Sequence, residues 1–200
     1  MKKLLISVVL LTAVLLIVGC SDSGGASSES GSSVEVKGLE EAFAEKPILL
    51  TSAGQSADAQ MLNVAAGKAG LTCELDALIK ADEFDADAYK TIVFAVGGSS
   101  KGLGAAGIDK EQELKRCQEI LEKAEDSCSI IVVHIGGAAR RGQLSDLFIE
   151  EITPHADYIL MLEGADDDGL FSSIAAENDI PMDVITSIAD SGPKLAAAFK

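Results

Sequence analysis

Short apolar runs recur along this chain, and each is followed by a polar or glycine-containing turn and then an amphipathic segment. The runs are "PILLTS" (47–52), "TIVFAVGG" (91–98), "SIIVVHIGG" (129–137), "DYILMLEG" (157–164) and "PMDVITS" (181–187). The middle three are apolar at consecutive positions, which is typical of strands buried on both faces of a parallel sheet. A shorter and more polar run, "LTCEL" (71–75), is predicted to be an edge strand.

The segments between these runs predict helices. They span 57–69, a stretch that starts at an Asp109 N-cap, 144–152, 170–177 and 189–199. Strict alternation of strand and helix predicts an α/β fold, a single three-layer αβα sandwich around a mostly parallel sheet of five or six strands. We expect it to be flavodoxin-like or Rossmann-like. Strand order 2-1-3-4-5 is preferred, although the sequence leaves the order open.

The N-terminus predicts export from the cytoplasm. Lys2 and Lys3 precede an apolar run, 4–18, whose length suits a signal peptide and is short for a membrane-spanning helix. The run ends in "IVGC" (17–20), which resembles the bacterial lipobox. That resemblance implies a diacylated Cys20 with cleavage in front of it. An uncleaved anchor helix is the alternative.

The segment after Cys20, "SDSGGASSESGSS" (21–33), has the composition of a flexible tether. We therefore predict a signal peptide over 1–19, the lipidated cysteine and a Ser/Gly tether over 20–45, and one α/β domain over 46–200. The expected location is the cell envelope, on the extracytoplasmic side of a bacterial membrane.

The chain is strongly acidic, with a formal net charge of −16. Loss of the predicted signal peptide removes Lys2 and Lys3 and leaves −18. A domain of this charge repels nucleic acid and anionic lipid headgroups. We expect no nucleic-acid partner, and we expect membrane contact through the lipid on Cys20 alone.

Four longer motifs resemble an uncharacterised family of small bacterial lipoprotein or secreted α/β domains. They are "PILLTSAGQSADAQML", "VGGSSKGLGAAGID", "HIGGAARRGQLSD" and "PHADYIL". The resemblance covers roughly 46–199. It implies the fold, and it carries no known activity or catalytic residues.

The loop "VGGSSKGLGAAG" (96–107) has glycines at the spacing of a dinucleotide fingerprint. That fingerprint lies between a first strand and a helix that starts at once, whereas this loop follows the third strand and the next helix is expected at Asp109. "TSAGQSAD" (51–58) is similar to the phosphate loop of flavodoxins, but no tryptophan or loop aromatic is placed to hold a flavin. We expect no cofactor. No cysteine–histidine cluster suggests a metal, and Cys117 is predicted to be a buried core thiol.

The same loop also fits G-x-S-x-G, the turn that presents a nucleophile in many hydrolases. An enzyme using Ser99 or Ser100 with His134 is therefore one alternative function. His155 precedes a strand, so it is expected at the opposite edge of the sheet. A structural envelope domain without any ligand is a further alternative.

The carboxyl ends of the strands are where open α/β sheets bind ligands. The residues predicted to gather there are rich in backbone N–H groups, hydroxyls and positive charge. They are Ser52, Gln55, Ser56, Gly98, Ser99, Ser100, Lys101, His134, Gly137 and Arg140. Arginine grips carboxylates and phosphates in pairs of hydrogen bonds. The leading hypothesis is a non-catalytic module that binds a small anion, a carboxylate or phosphate ester, and serves a transporter or sensor.

Two adjacent arginines, Arg140 and Arg141, cannot both point into one cleft. Arg140 is nearer the strand end, so it is predicted to reach the ligand, while Arg141 faces solvent or an acidic surface residue. The acidic stretch "EGADDDG" (163–169) is predicted to cap the helix that follows it and to rim the site, in preference to binding calcium.

Overall fold

The computed structural model describes residues 36–200. Within this part the chain forms one sheet of six parallel strands in the order β2-β1-β3-β4-β5-β6. The strands are β1 (Ile48–Ala53), β2 (Glu74–Leu75), β3 (Thr91–Val96), β4 (Ser129–His134), β5 (Tyr158–Leu162) and β6 (Met182–Ile185). The predicted α/β sandwich is confirmed, and the preferred order holds with a sixth strand added beside β5. The order reverses between β1 and β3, so the switch point of the sheet lies there.

Six α-helices cover the two faces of this sheet in the described residues. They are α1 (Asp58–Lys68), α2 (Ser100–Ala106), α3 (Lys110–Ala124), α4 (Gln143–Ile152), α5 (Leu170–Glu177) and α6 (Ser191–Ala196). Helices α1 and α6 share one apolar core with the sheet, whereas α3, α4 and α5 share the other. Strands β1 and β3 are buried at every position because helices cover both faces.

Helix α3 begins as its sequence predicts. The Asp109 side chain accepts from the Gln112 N–H over 2.8 Å, and the Gln112 side chain accepts from the Asp109 N–H over 3.0 Å. This reciprocal pair is a capping box. The expectation that the first helix after β3 starts at Asp109 is wrong, because α2 starts at Ser100, directly after the loop that follows β3. Ser99 is its N-cap and accepts from the Gly102 N–H.

The segment just before β1 packs along the domain. The Lys37 carbonyl accepts from the Met182 N–H, and Ala44 forms an isolated parallel bridge with Phe199. Part of the predicted 20–45 tether, from Val36 onward, thus lies among the described residues and contacts the domain. The predicted signal peptide, Cys20 and the rest of the tether lie outside the described residues. No helix within 36–200 is long and apolar enough to cross a membrane.

Candidate functional site

The loops that follow β1 and β3 pack against each other at the switch point. Gln55 and Gly98 form an isolated antiparallel bridge, and the Ser99 N–H donates to the Gly54 carbonyl over 2.8 Å. Gly102 lies so close to Gln55 that a Cβ atom on it would overlap the Gln55 carbonyl oxygen. Glycine is therefore needed at position 102 for the close contact between the start of α2 and the loop that follows β1.

The glycine N–H groups at positions 97, 98 and 102 already have partners within the protein. Gly97 donates to the Ala53 carbonyl over 2.9 Å, Gly98 to Ser145 Oγ over 2.9 Å, and Gly102 to Ser99 Oγ over 3.0 Å. Because these donors are occupied, they are not free to cradle a pyrophosphate. Because α2 starts at Ser100, the lack of a helix directly after the loop is no longer an argument against a dinucleotide-binding loop. The occupied N–H donors are a separate argument against it.

A buried ion pair supports the loop after β1. Arg116 donates from Nε to Glu113 Oε2 over 2.8 Å and from Nη2 to Glu113 Oε1 over 2.9 Å. Glu113 Oε1 also accepts from the Gly54 N–H and from Gln55 Nε2, each over 3.0 Å. Gln55, predicted to contact a ligand, is instead committed to Glu113 and to the Ala77 carbonyl.

Burial and pairing have opposite effects on the pKa of Arg116. Burial alone lowers it, but hydrogen bonds and the charge of Glu113 outweigh burial and raise the pKa above its usual value. Burial also raises the pKa of the neighbouring Cys117 thiol to about 12. Cys117 is fully buried, as predicted. Sequence reasoning missed the ion pair, although Glu113 and Arg116 fall on the same helical stripe as Cys117, Ile120 and Leu121.

His134 is fully buried on the side of the sheet covered by α3, α4 and α5. Its Nδ1 lies 2.8 Å from the Val96 carbonyl oxygen and its Nε2 lies 3.4 Å from the Gly137 carbonyl oxygen. The ring also lies 5.5 Å from that of Phe171. Within the described residues no hydrogen bond joins His134 to a serine. Both ring nitrogens face the backbone, so the enzyme alternative lacks the base it needs.

Arg141 is fixed by acidic residues and by an aromatic ring. It donates from Nε to Asp146 over 2.7 Å and from Nη1 and Nη2 to the two Asp168 oxygens over 2.9 and 2.8 Å. It also donates to the Ala165 carbonyl, and its guanidinium lies 5.7 Å from the centre of the Phe171 ring. As predicted, Arg141 faces acidic residues, and its role here is to tie the loop after β4 to the loop after β5.

Arg140 differs from Arg141 in its exposure and in its contacts. It ends the 3₁₀ turn Ala138–Arg140 just beyond β4 and is exposed. A Cβ on Gly136 would overlap Cβ and Cγ of Arg140, so the stem of this side chain crosses the carboxyl end of β4. Among the described residues its guanidinium has no hydrogen bond or ion pair. Arg140 therefore carries an uncommitted positive charge at the predicted edge.

Asp58 is a site residue that the sequence analysis missed. It is the first residue of α1 and is only 3% exposed, and its Oδ2 has no hydrogen-bond partner within residues 36–200. A Cβ on Gly97 would lie 3.1 Å from this oxygen and 3.1 Å from Ser56 Oγ, and a Cβ on Gly136 would lie 3.3 Å from the same oxygen. Asp58 Oδ2 thus lies between the ends of β3 and β4, where a side chain on Gly97 or Gly136 would crowd it.

The remaining predicted site residues are either buried or exposed on α2. Ser52 lies inside β1, fully buried, and its Oγ has no partner among the described residues. Gly137 packs near Leu162 with a φ of 57°. Ser56 is buried and accepts from the Asp58 N–H over 3.3 Å, whereas Ser100 and Lys101 are exposed on α2. The structure brings Ser56, Asp58 and Arg140 to the ends of β3 and β4.

The acidic stretch after β5 caps α5, as predicted. Asp166 Oδ1 accepts from the N–H groups of Phe171 and Ser172 over 2.6 and 3.2 Å. Hydrogen bonds from Arg141 hold the pKa of Asp168 below its usual range. Within 36–200 no group of three or more His, Cys, Asp or Glu residues could hold a metal ion.

A groove of about 750 Å³ lies elsewhere, between residues 78–82 and the outer face of α3. Two of its lysines form ion pairs, Lys80 with Glu83 over 3.7 Å and Lys115 with Glu119 over 3.6 Å. We place the candidate site at Asp58 and Arg140 because they lie at the ends of β3 and β4, the edge where open α/β sheets bind ligands.

The fold and this edge define a doubly wound α/β domain whose strand ends carry a buried carboxylate, Asp58, and an exposed guanidinium, Arg140. The family model described as a domain of unknown function, DUF6305, matches residues 45–199, and the chain belongs to this family. A comparison with curated proteins found no matching relative.

Proposed function

We propose that this protein is a lipid-anchored, extracytoplasmic module that binds a small ligand through an anionic group and does not transform it. The observation that carries the proposal is the uncommitted guanidinium of Arg140 beside the carboxyl end of β4. Arg141 shows the contrast, because each of its three guanidinium nitrogens donates to the protein itself.

The chemistry of the edge favours a carboxylate or phosphate ester. A guanidinium offers paired donors that match the oxygens of such groups. In a chain of net charge −16, a free positive charge at the mouth of the sheet is an exception. Lys101, exposed on α2, would add a second positive charge at the same end of the sheet.

Binding without chemistry is favoured by the state of the serines and the histidine. Ser99 Oγ serves as a helix cap, and both His134 nitrogens face backbone carbonyl oxygens. A serine nucleophile requires a base within hydrogen-bond reach. A binding module of this kind would suit a transporter or a sensor as its partner.

Binding is tested by isothermal titration of the full-length chain in detergent with acetate, succinate, inorganic phosphate and glycerol phosphate, and with amino acids. We expect at least one anionic probe to bind and Arg140→Ala to weaken its affinity about ten- to a hundredfold, the loss of a charge-assisted contact. Lys68→Ala is the matched control, because Lys68 ends α1, at the opposite end of that helix from Asp58. Equal effects of the two variants, or no binding at all, would contradict the proposal.

The anchor is tested separately. Cells given an alkyne-tagged palmitate should label the wild-type chain and the Cys73→Ser control but not Cys20→Ser, which should also keep the signal peptide and be longer than the mature wild type. If Cys20→Ser were labelled like wild type, or if both chains had the full precursor mass, an uncleaved anchor helix would replace the lipid in this proposal.

A further inference from the structure

Asp58 lacks a partner that its burial demands. A buried carboxylate oxygen without a hydrogen bond costs free energy, and buried polar groups in folded proteins are almost always paired. Oδ2 of Asp58 is buried, and nothing among the described residues donates to it. The missing partner is therefore a donor that comes from outside the described residues.

The oxygens near Asp58 define what such a donor looks like. Asp58 Oδ2 and Ser56 Oγ lie at equal distances, 3.1 Å, from the position of a Cβ on Gly97. Two oxygens near one point, one of them formally charged, suit a protonated amine, which carries three N–H donors and a positive charge. An anionic group at the same point would be repelled by the Asp58 carboxylate.

The aliphatic stem of Arg140 lies close to Asp58. Its Cβ and Cγ are near the position where a Cβ on Gly136 would be, and the same position lies 3.3 Å from Asp58 Oδ2. A buried carboxylate and an exposed guanidinium therefore belong to side chains that lie next to each other at the ends of β3 and β4. A ligand that contacts both must carry a cationic group and an anionic group.

We infer that the ligand is a small zwitterion, with a carboxylate for Arg140 and a protonated amine for Asp58, as in a free amino acid. This inference rests on the proposed function, since it assigns the anionic group to Arg140 and adds a second contact. The overall charge of the chain agrees with it. A net charge of −16 disfavours the approach of simple anions over long range, whereas a zwitterion has no net charge to be repelled.

Binding of three related ligands distinguishes a site for a zwitterion from a site for a simple anion or a simple amine. The twenty L-amino acids are titrated into the full-length chain, and the tightest binder is compared with its des-amino acid and its decarboxylated amine. For alanine these would be propionate and ethylamine. We expect the amino acid to bind about ten- to a hundredfold more tightly than either analogue. Asp58→Asn should weaken the amino acid by a similar factor and leave the des-amino acid unchanged or tighter.

Each outcome decides one or both proposals. If the des-amino acid binds as tightly as the amino acid, the zwitterion inference fails while the anion site stands. If the amine alone binds as tightly, both the inference and the role of Arg140 fail. If no amino acid and no anion binds, the proposed function fails with it. The comparison among ligands uses the wild-type chain, so it does not depend on the folding of any variant.

Discussion

Arg116 and Glu113 form a two-point ion pair, with hydrogen bonds of 2.8 and 2.9 Å, inside the layer between α3 and β1. Glu113 is fully buried, and it also holds the Gly54 N–H and the Gln55 amide. The pair therefore connects α3 to the loop that follows β1 at the switch point. Mutation can measure how much each of the two charges contributes to stability.

Arg116→Met is expected to destabilise the domain by about 3–5 kcal/mol, because it leaves Glu113 charged, buried and without its main partner. The double variant Glu113→Gln/Arg116→Met should recover a large part of that loss, since no uncompensated charge then remains. Urea unfolding followed by circular dichroism measures both values. A double variant no more stable than Arg116→Met would contradict this prediction.

Asp58→Asn is expected to leave the free energy of unfolding of the apo protein unchanged or to raise it by up to about 2 kcal/mol at neutral pH. The lost interaction of a negative charge with the first turn of α1 costs about 0.3–1 kcal/mol. Relief of a buried, unpaired carboxylate outweighs that cost. Binding sites commonly contain residues that lower the stability of the free protein in this way.

The matched control for Asp58 is Asp166→Asn. Asp166 accepts from the N–H groups of Phe171 and Ser172 at the start of α5, so loss of its charge there should lower stability by about 0.3–1 kcal/mol. If Asp58→Asn lost as much as Asp166→Asn, Asp58 would be a structural residue with a partner of its own.

The two adjacent arginines should differ sharply in the absence of ligand. Arg141→Ala removes contacts to Asp146, Asp168 and the Ala165 carbonyl, and we expect it to cost about 1–3 kcal/mol. Arg140→Ala removes an exposed side chain without partners among the described residues, so its melting temperature should stay within about 1 °C of wild type. Thermal unfolding of the apo variants measures this. The reverse ranking would assign the structural role to Arg140.

The sequence predicts the sheet well because burial on both faces leaves a strong signal. Runs such as "TIVFAVGG" and "SIIVVHIGG" are apolar at consecutive positions, and the strands β3 and β4 lie within them. The Asp109 cap was equally readable, since a side chain and its N3 partner lie three residues apart. Helix α2 was not predicted because the three glycines of "SSKGLGAAG" have low helix propensity.

The candidate site was predicted less completely, for a different physical reason. The loops are at the expected edge, but whether Gln55, Ser99 and His134 are free or internally bonded depends on contacts between distant segments. Asp58 was overlooked because an aspartate at a helix start is commonly an exposed residue in the first turn. Its burial arises from the ends of β3 and β4, which are far from it in sequence.

The ion pair between Asp168 and Arg141 should make stability depend on pH in the acidic range. Hydrogen bonds from Arg141 lower the pKa of Asp168 in the folded chain, while in the unfolded chain it has the ordinary carboxyl value of about 4. A lowered folded pKa contributes stability that is present above the unfolded pKa and is lost as pH falls through the folded one. Wild type should therefore be more stable than Asp168→Asn at pH 7, and the difference should shrink below about pH 4.

The measurement is the melting temperature of both chains from pH 7 to pH 2.5, with Asp167→Asn as the control. Asp167 is exposed and has no hydrogen bond or ion pair among the described residues, so its variant should follow wild type throughout. Taking the difference between the variants cancels the titration of every other carboxylate. A gap between wild type and Asp168→Asn that stayed constant down to pH 2.5 would mean that the Asp168 charge contributes nothing and that only the shape of its side chain matters.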